Sequence, residues 1–158
     1  MRIAISTGGG DAPGLNAVIR AAVLSARTRG WDVLGIKRGF AGLLGEDEIV
    51  PLTVDSVRGI ASQGGTIIKT TNRGSPFSYP ILQPDGSYKN IDRSDELVEN
   101  ARNLGIEAII SIGGDGSLKI AQQLQAKGGR VVSVPKTYDH GVAGSIATVG
   151  GECAVTWA

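Results

Sequence analysis

Two short glycine-rich segments, each containing an aspartate, are the first places in this sequence where chemistry could occur. One reads Thr7-Gly8-Gly9-Gly10-Asp11, and the other reads Ile112-Gly113-Gly114-Asp115-Gly116-Ser117. Glycines at a turn between a strand and a helix expose backbone N–H groups, and the following helix adds the positive end of its dipole. An aspartate beside them suits Mg²⁺, which prefers a few carboxylate oxygens together with phosphate oxygens and water. Both segments therefore predict a site for a phosphorylated ligand, although such turns also serve tight packing alone.

A third segment with reactive side chains is Val134-Pro135-Lys136-Thr137-Tyr138-Asp139-His140. It also follows an apolar run, so we expect it at the same rim as the glycine segments. Asp139 could accept a hydroxyl proton while Lys136 or Thr137 orients the attacked phosphate. The alternative is a turn whose aspartate caps a helix. Arg73, in a polar segment, could clamp a phosphate through bidentate hydrogen bonds or could lie on the solvated surface.

The elements that must position these residues alternate between strands and helices. The apolar patterns predict strands over residues 2–7, 32–36, 49–52, 108–112 and 130–134, the last ended by Pro135. They predict helices over residues 15–29, 53–62 and 94–104, and a fourth helix from the second glycine segment to about residue 127. Thr53 and Ser94 are predicted as N-caps, and Asp85-Gly86 as a hairpin turn.

This alternation indicates the fold class. Strands that alternate with helices form βαβ units with a parallel sheet and right-handed crossovers. We therefore predict an α/β protein with an open doubly wound (Rossmann-like), mostly parallel sheet, helices on both faces, and an incomplete C-terminal end. In such a sheet, ligands bind at the carboxyl ends of the strands beside a switch in strand order. The two glycine segments and the third segment all fall at such strand ends.

Composition excludes several function classes. The 158 residues suffice for one domain, and 16 Lys and Arg against 15 Asp and Glu leave a formal charge of +1. That balance argues against binding of nucleic acid or a membrane surface by bulk charge. A single cysteine, Cys153, makes no internal disulfide, and no run approaches the roughly 20 apolar residues that span a bilayer. We expect a cytoplasmic protein.

The spacing of the glycines excludes two common phosphate-binding motifs. Neither glycine segment has the Gly-x-x-x-x-Gly-Lys-Ser/Thr spacing of the Walker A motif, and neither fits Gly-x-Gly-x-x-Gly. Taken together, however, the segments resemble the N-terminal half of the PfkA-type 6-phosphofructokinase family, whose members use ATP or pyrophosphate. The stretches that carry the resemblance are residues 7–20, 64–67, 71–77 and 112–117, with residues 135–139 matching less fully.

The resemblance implies transfer of the ATP γ-phosphoryl group to the 1-hydroxyl of fructose 6-phosphate, with Mg²⁺, in glycolysis. By position, it implies that Asp139 is the general base and that Thr137 lies near the transferred phosphoryl group and the sugar. It also implies that Asp115 is the Mg²⁺ ligand. The residues that it places at the nucleotide are Gly10, Arg73, Gly114, Asp115, Gly116 and Ser117. Those that it places at the sugar substrate are Lys136, Thr137 and Asp139.

Two positions bear on the phosphoryl donor. Gly116 resembles the ATP-using members, since pyrophosphate-using members carry Asp there, which fills the space of the α-phosphate. Lys136 is common among pyrophosphate users and also occurs in an ATP-using subgroup. We therefore expect ATP, with a pyrophosphate-dependent enzyme as the alternative.

Departures from the family pattern leave a second alternative open. Gly141 stands where the family carries a second aspartate, which favours a non-catalytic nucleotide-binding fragment or pseudo-enzyme. The resemblance further implies that residues 1–140 form the nucleotide-binding unit and that residues 141–158 begin the sugar-phosphate half, truncated or atypical. We expect the isolated 158-residue chain not to be competent alone, and a homo-oligomer in the full-length form.

Overall fold

The computed structural model describes residues 1–137 and 144–151, which form one main sheet with helices and a separate hairpin. In chain order, the elements are β1 (Arg2–Thr7), α1 (Leu15–Thr28), β2 (Asp32–Ile36), β3 (Ile49–Pro51), β4 (Tyr79–Leu82), β5 (Tyr88–Ile91), α2 (Ser94–Asn103), β6 (Ala108–Gly113), α3 (Asp115–Ala126), β7 (Val131–Thr137) and β8 (Val149–Gly150). Asp139 and Gly141 lie outside the described residues. No helix among the residues described is long and apolar enough to cross a membrane.

The main sheet has six strands in the order β3-β2-β1-β6-β7-β8, and the hairpin β4-β5 stands apart from it. β1 pairs in parallel with β2 on one side and with β6 on the other, and only β3 runs antiparallel. The chain therefore proceeds outward from β1 in one direction and from β6 in the other. The switch in strand order lies between β1 and β6, and both glycine segments follow these two strands.

Helices cover both faces of the sheet. On one face, Leu15, Ile19 and Val23 of α1 pack against the buried Ile5 of β1. On the other face, α2 and α3 pack through Leu97, Ala101, Ala121 and Leu124 against Ala4 and Ile36. Each fully buried side chain of the Leu or Ile type contributes roughly 1.5–3 kcal/mol. The prediction of an open, doubly wound, mostly parallel α/β sheet is confirmed.

The predicted helix over residues 53–62 is wrong. Its start signal is present, since the Thr53 N–H donates to Ser56 Oγ at 2.7 Å and the Ser56 N–H donates to Thr53 Oγ1 at 3.2 Å. Only turns follow, however, because Gly59 takes a left-handed conformation with φ of 73° that interrupts the helical run. A short 3₁₀ helix, Ile60–Ser62, then buries Ile60 near α1.

Two local predictions near strand and helix ends are also wrong. Pro135 does not end its strand, because β7 continues to Thr137. The Arg130 carbonyl accepts a hydrogen bond from the Ile109 N–H of β6, and backbone groups of successive residues in a strand face opposite edges. The backbone nitrogen of Pro135 therefore faces away from β6, toward the edge where β8 pairs only with Lys136 and Thr137. Ser94 is the first helical residue of α2 rather than its cap, and Asp92 Oδ1 accepts both its N–H (2.8 Å) and its Oγ–H (2.5 Å).

Candidate functional site

A cavity of about 760 Å³ opens at the carboxyl ends of β1, β6 and β7. Its volume lies in the range of small-molecule sites, about 300–1,000 Å³. Eight of the predicted site residues line it: Gly10, Arg73, Gly114, Asp115, Gly116, Ser117, Lys136 and Thr137. The ninth, Asp139, lies outside the described residues. The fold thus brings together residues that are more than 100 positions apart in sequence.

The two glycine segments touch each other directly. The Gly8 N–H donates to the Ile112 carbonyl at 2.9 Å, which continues the pairing of β1 and β6. Ser117, in the first turn of α3, packs beneath both segments and is buried. A Cβ at Gly113 would lie 2.5 Å from Ser117 Cβ and 3.0 Å from the Gly8 carbonyl oxygen. Glycine is needed here because the two turns and the helix approach so closely.

The two glycine segments have similar sequences but different geometry. α3 begins at once, with Gly114 as N-cap, and its first described hydrogen bond runs from the Leu118 N–H to the Gly114 carbonyl. The N–H groups of residues 115–117 therefore have no acceptor within the helix. In the first segment, α1 starts only after Gly14. Consequently the second segment presents a helix N-terminus, whereas the first presents a glycine loop.

Asp115 fits the chemistry of a Mg²⁺ ligand. Among the described residues that line the cavity it is the one acidic side chain, and it lies exposed in the first turn of α3. The described part of the chain holds no cluster of three or more His, Cys, Asp or Glu that could form an all-protein metal cage. Mg²⁺ at phosphate sites uses one or two carboxylates and takes its other ligands from substrate and water. One exposed carboxylate beside open N–H groups meets that requirement.

Lys136 joins the third segment to the first glycine segment. Its side chain is only 6% exposed, and its Nζ donates to the Gly10 carbonyl. Burial lowers the pKa of the Lys136 ammonium, while the nearby Asp11 carboxylate acts in the opposite direction. Lys136 Nζ therefore lies against the backbone of the glycine loop.

Residues 63–75, called the strap below, bring Arg73 to the rim. The buried Asn16 fixes the start of the strap, since its Nδ2 donates to the Gln63 and Gly64 carbonyls and its Oδ1 accepts from the Ile67 N–H. Arg73 is exposed at the cavity and has no ion-pair partner within residues 1–137 and 144–151. Its guanidinium group is thus available to an anionic ligand.

Sequence reasoning missed several contributors to this site. Phe40, after β2, and Lys119, Ile120 and Gln123 of α3 line the cavity. The α3 residues repeat at helical spacing from Gly116, so periodicity could have found them. Asn16 and Thr70 carried no local signal, because their partners lie 47 to 61 residues away in sequence.

The fold and the cavity define an α/β protein whose cavity lies at the switch point of a doubly wound sheet and is lined by two glycine segments and an exposed arginine. A family model described as Phosphofructokinase matches residues 2–158. The chain belongs to the phosphofructokinase family.

Curated relatives and solved structures agree with this assignment. The chain is 42% identical over 156 residues to ATP-dependent 6-phosphofructokinase 1 of Nostoc sp., covering 98% of this chain and 42% of the relative. It is 44% identical over 150 residues to ATP-dependent 6-phosphofructokinase 2 of Clostridium perfringens, covering 94% and 41%. The crystal structure of Pichia pastoris phosphofructokinase in the T-state matches with a TM-score of 0.76 at 28% identity, over 94% of this chain and 16% of that one. The chain spans about two fifths of the length of these curated relatives.

Proposed function

We propose that the protein is an ATP-dependent 6-phosphofructokinase. It transfers the γ-phosphoryl group of ATP to the 1-hydroxyl of fructose 6-phosphate and releases ADP and fructose 1,6-bisphosphate. The observation that carries this proposal is the convergence of two glycine segments, one carboxylate and Arg73 on a single cavity at the switch point. The names of the curated relatives support ATP as the donor.

The nucleotide phosphates are bound mainly by backbone groups. The N–H of Gly10 and the N–H groups of residues 115–117 donate to phosphate oxygens, and the dipole of α3 stabilises their negative charge. Gly114 and Ser117 shape this part of the wall, and Arg73 closes over the phosphates from the strap with a planar guanidinium group. Phosphoryl transfer depends chiefly on such positioning and charge neutralisation.

Asp115 holds the Mg²⁺ ion that accompanies ATP. When bound, the ion would supply positive charge that offsets the negative charge of the phosphates. Asp115 lies beside the N–H groups that bind the phosphates, so one residue both places the metal and leaves the remaining coordination positions to substrate and water.

The acceptor side of the reaction uses the third segment. Thr137, at the end of β7, orients the transferred phosphoryl group, and Lys136 adds positive charge behind it. Asp139 accepts the proton of the 1-hydroxyl as the sugar oxygen forms its bond to the γ-phosphorus. The bond from that phosphorus to the bridging oxygen breaks, and ADP leaves with the electron pair.

A coupled assay of the protein at its natural length tests the proposal. Turnover of fructose 6-phosphate is expected with Mg²⁺ and ATP. Absence of turnover with ATP contradicts the proposal. Turnover with pyrophosphate instead would establish the pyrophosphate-dependent alternative, and calorimetric binding of Mg-ATP without turnover would establish a pseudo-enzyme, which the glycine at position 141 favours.

Gly116→Asp tests the choice of donor. Gly116 lines the cavity, and among the described residues a Cβ there would have open space around it, so a side chain fits at this part of the wall. Its carboxylate would occupy space near the phosphates and repel their charge. We expect the KM for ATP to rise at least about tenfold, the effect of roughly 1.4 kcal/mol. Gly116→Ser, which adds a small neutral side chain, is the matched control and is expected to change KM less; equal KM values for the aspartate variant and the wild type would contradict the assignment.

The organisation of the whole protein is also part of the proposal. Residues 1–140 form the nucleotide-binding unit and residues 141–158 begin the sugar-phosphate half, which completes the site for fructose 6-phosphate. The protein is cytoplasmic and assembles as a homo-oligomer. Light scattering of the protein at its natural length measures the number of subunits in the eluted species. A monomer would contradict the proposed homo-oligomer.

A further inference from the structure

The first glycine segment has one open N–H group among its three glycines. The Gly8 N–H donates to the Ile112 carbonyl, and the Gly9 N–H donates to the Thr71 carbonyl, both at 2.9 Å. The Gly10 N–H has no acceptor within the described part of the chain, and Gly10 is exposed and lines the cavity. Only this donor of the three is therefore open to a ligand.

Thr70 fixes the orientation of the peptide unit that carries this donor. Its Oγ1 donates to the Gly9 carbonyl at 2.7 Å, and Thr70 itself does not line the cavity. The Gly9 carbonyl and the Gly10 N–H belong to the same planar trans peptide, so they point in opposite directions. Because the Thr70 hydroxyl binds the Gly9 carbonyl on the side of the strap, the Gly10 N–H points away from the strap.

A glycine pair needs such a constraint. Gly9 has φ of 81°, and glycine backbones adopt many conformations at similar energy, so this peptide could rotate and present its carbonyl to the cavity instead. A carbonyl in that position would repel phosphate. The next peptide is held separately, because Lys136 Nζ donates to the Gly10 carbonyl.

We propose that Thr70 is a positioning residue for the nucleotide phosphates, which aims the Gly10 N–H at them by binding the Gly9 carbonyl. The inference rests on the proposed function, since it takes the ligand of the cavity to be ATP. It assigns Thr70 no contact with the substrate.

The test is the KM for ATP of Thr70→Val, which keeps the size of the side chain and removes the hydroxyl. We expect KM to rise about five- to tenfold, the factor for one net hydrogen bond, with KM for fructose 6-phosphate unchanged. Thr70→Ser retains the hydroxyl and is expected to stay within about twofold of the wild type. If Thr70→Val does not fold, Thr70→Ala removes the same hydroxyl and is expected to raise KM equally.

The matched control is Thr28→Val. Thr28 Oγ1 also donates to a backbone carbonyl, that of Ser25 at 2.9 Å, but it lies at the last residue of α1, away from the cavity. Its KM values are expected to equal those of the wild type. A lower melting temperature of Thr70→Val with an unchanged KM for ATP would overturn the inference and show a structural role only. Absence of ATP-dependent turnover by the wild-type protein would instead overturn the proposed function.

Discussion

Replacement of Asp115 by alanine is expected to lower kcat/KM at least about 100-fold, since it removes a group that stabilises charge in phosphoryl transfer. Asp115 is the acidic side chain that the described structure places at the cavity, in the first turn of α3. Without it, Mg²⁺ has substrate and water ligands but no carboxylate. We expect the Mg²⁺ concentration for half-maximal rate to rise together with the loss of kcat. Titration of the rate with Mg²⁺ at fixed ATP measures both effects.

Asp95→Ala is the matched control for this experiment. Asp95 occupies the first turn of α2, where it also interacts favourably with a helix dipole, and its Oδ1 accepts from Lys127 Nζ at 2.6 Å. It lies outside the cavity lining. We expect its kinetic constants and Mg²⁺ dependence to match the wild type. A similar loss in both variants would indicate helix destabilisation, and an unchanged Asp115→Ala enzyme would exclude Asp115 as the metal ligand.

Gly113→Ala is expected to lower the free energy of unfolding by about 2 kcal/mol or more, in the range of overpacked interiors. The added Cβ would meet Ser117 Cβ at 2.5 Å and the Gly8 carbonyl oxygen at 3.0 Å. Ser117 lies in the first turn of a helix, and the Gly8 N–H is hydrogen-bonded to the Ile112 carbonyl. Neither residue can therefore move away without a cost in free energy. Separation of the two glycine segments would also weaken ATP binding. Urea unfolding and the KM for ATP measure the two consequences.

Gly64→Ala provides the comparison for the stability measurement. A Cβ there would meet nothing within 4 Å, and Gly64 is not among the glycines with positive φ. We expect its unfolding midpoint to stay close to the wild type, within about 0.5 kcal/mol. If Gly113→Ala is no less stable than Gly64→Ala, the close contact of the glycine segments is wrong.

Much of the fold could be predicted from the sequence because its signals are local. The apolar run of β1 and the left-handed Gly30 after α1 (φ 70°) mark their elements without tertiary information. The helix predicted over residues 53–62 failed because the left-handed Gly59 outweighs a good start signal. Pro135 was misinterpreted because the edge that it faces is set by strand order, which the sequence does not contain.

The candidate site, like the fold, could be predicted from the sequence only where its signals are local. Glycine segments and Asp115 could be found because the chemistry and the local turn coincide in a few residues. The contact of Thr70 with Gly9 and that of Lys136 with Gly10 span 61 and 126 residues, so only the folded chain brings them together. The different geometry of two nearly identical glycine segments also depends on where each following helix begins.

A crystal structure of the protein with Mg²⁺ and a non-hydrolysable ATP analogue tests the central claim most directly. We predict that phosphate oxygens accept hydrogen bonds from the Gly10 N–H and from N–H groups of residues 115–117, with the metal bound to the Asp115 carboxylate. Phosphates bound away from the ends of β1 and β6, or a metal that does not contact Asp115, would contradict it.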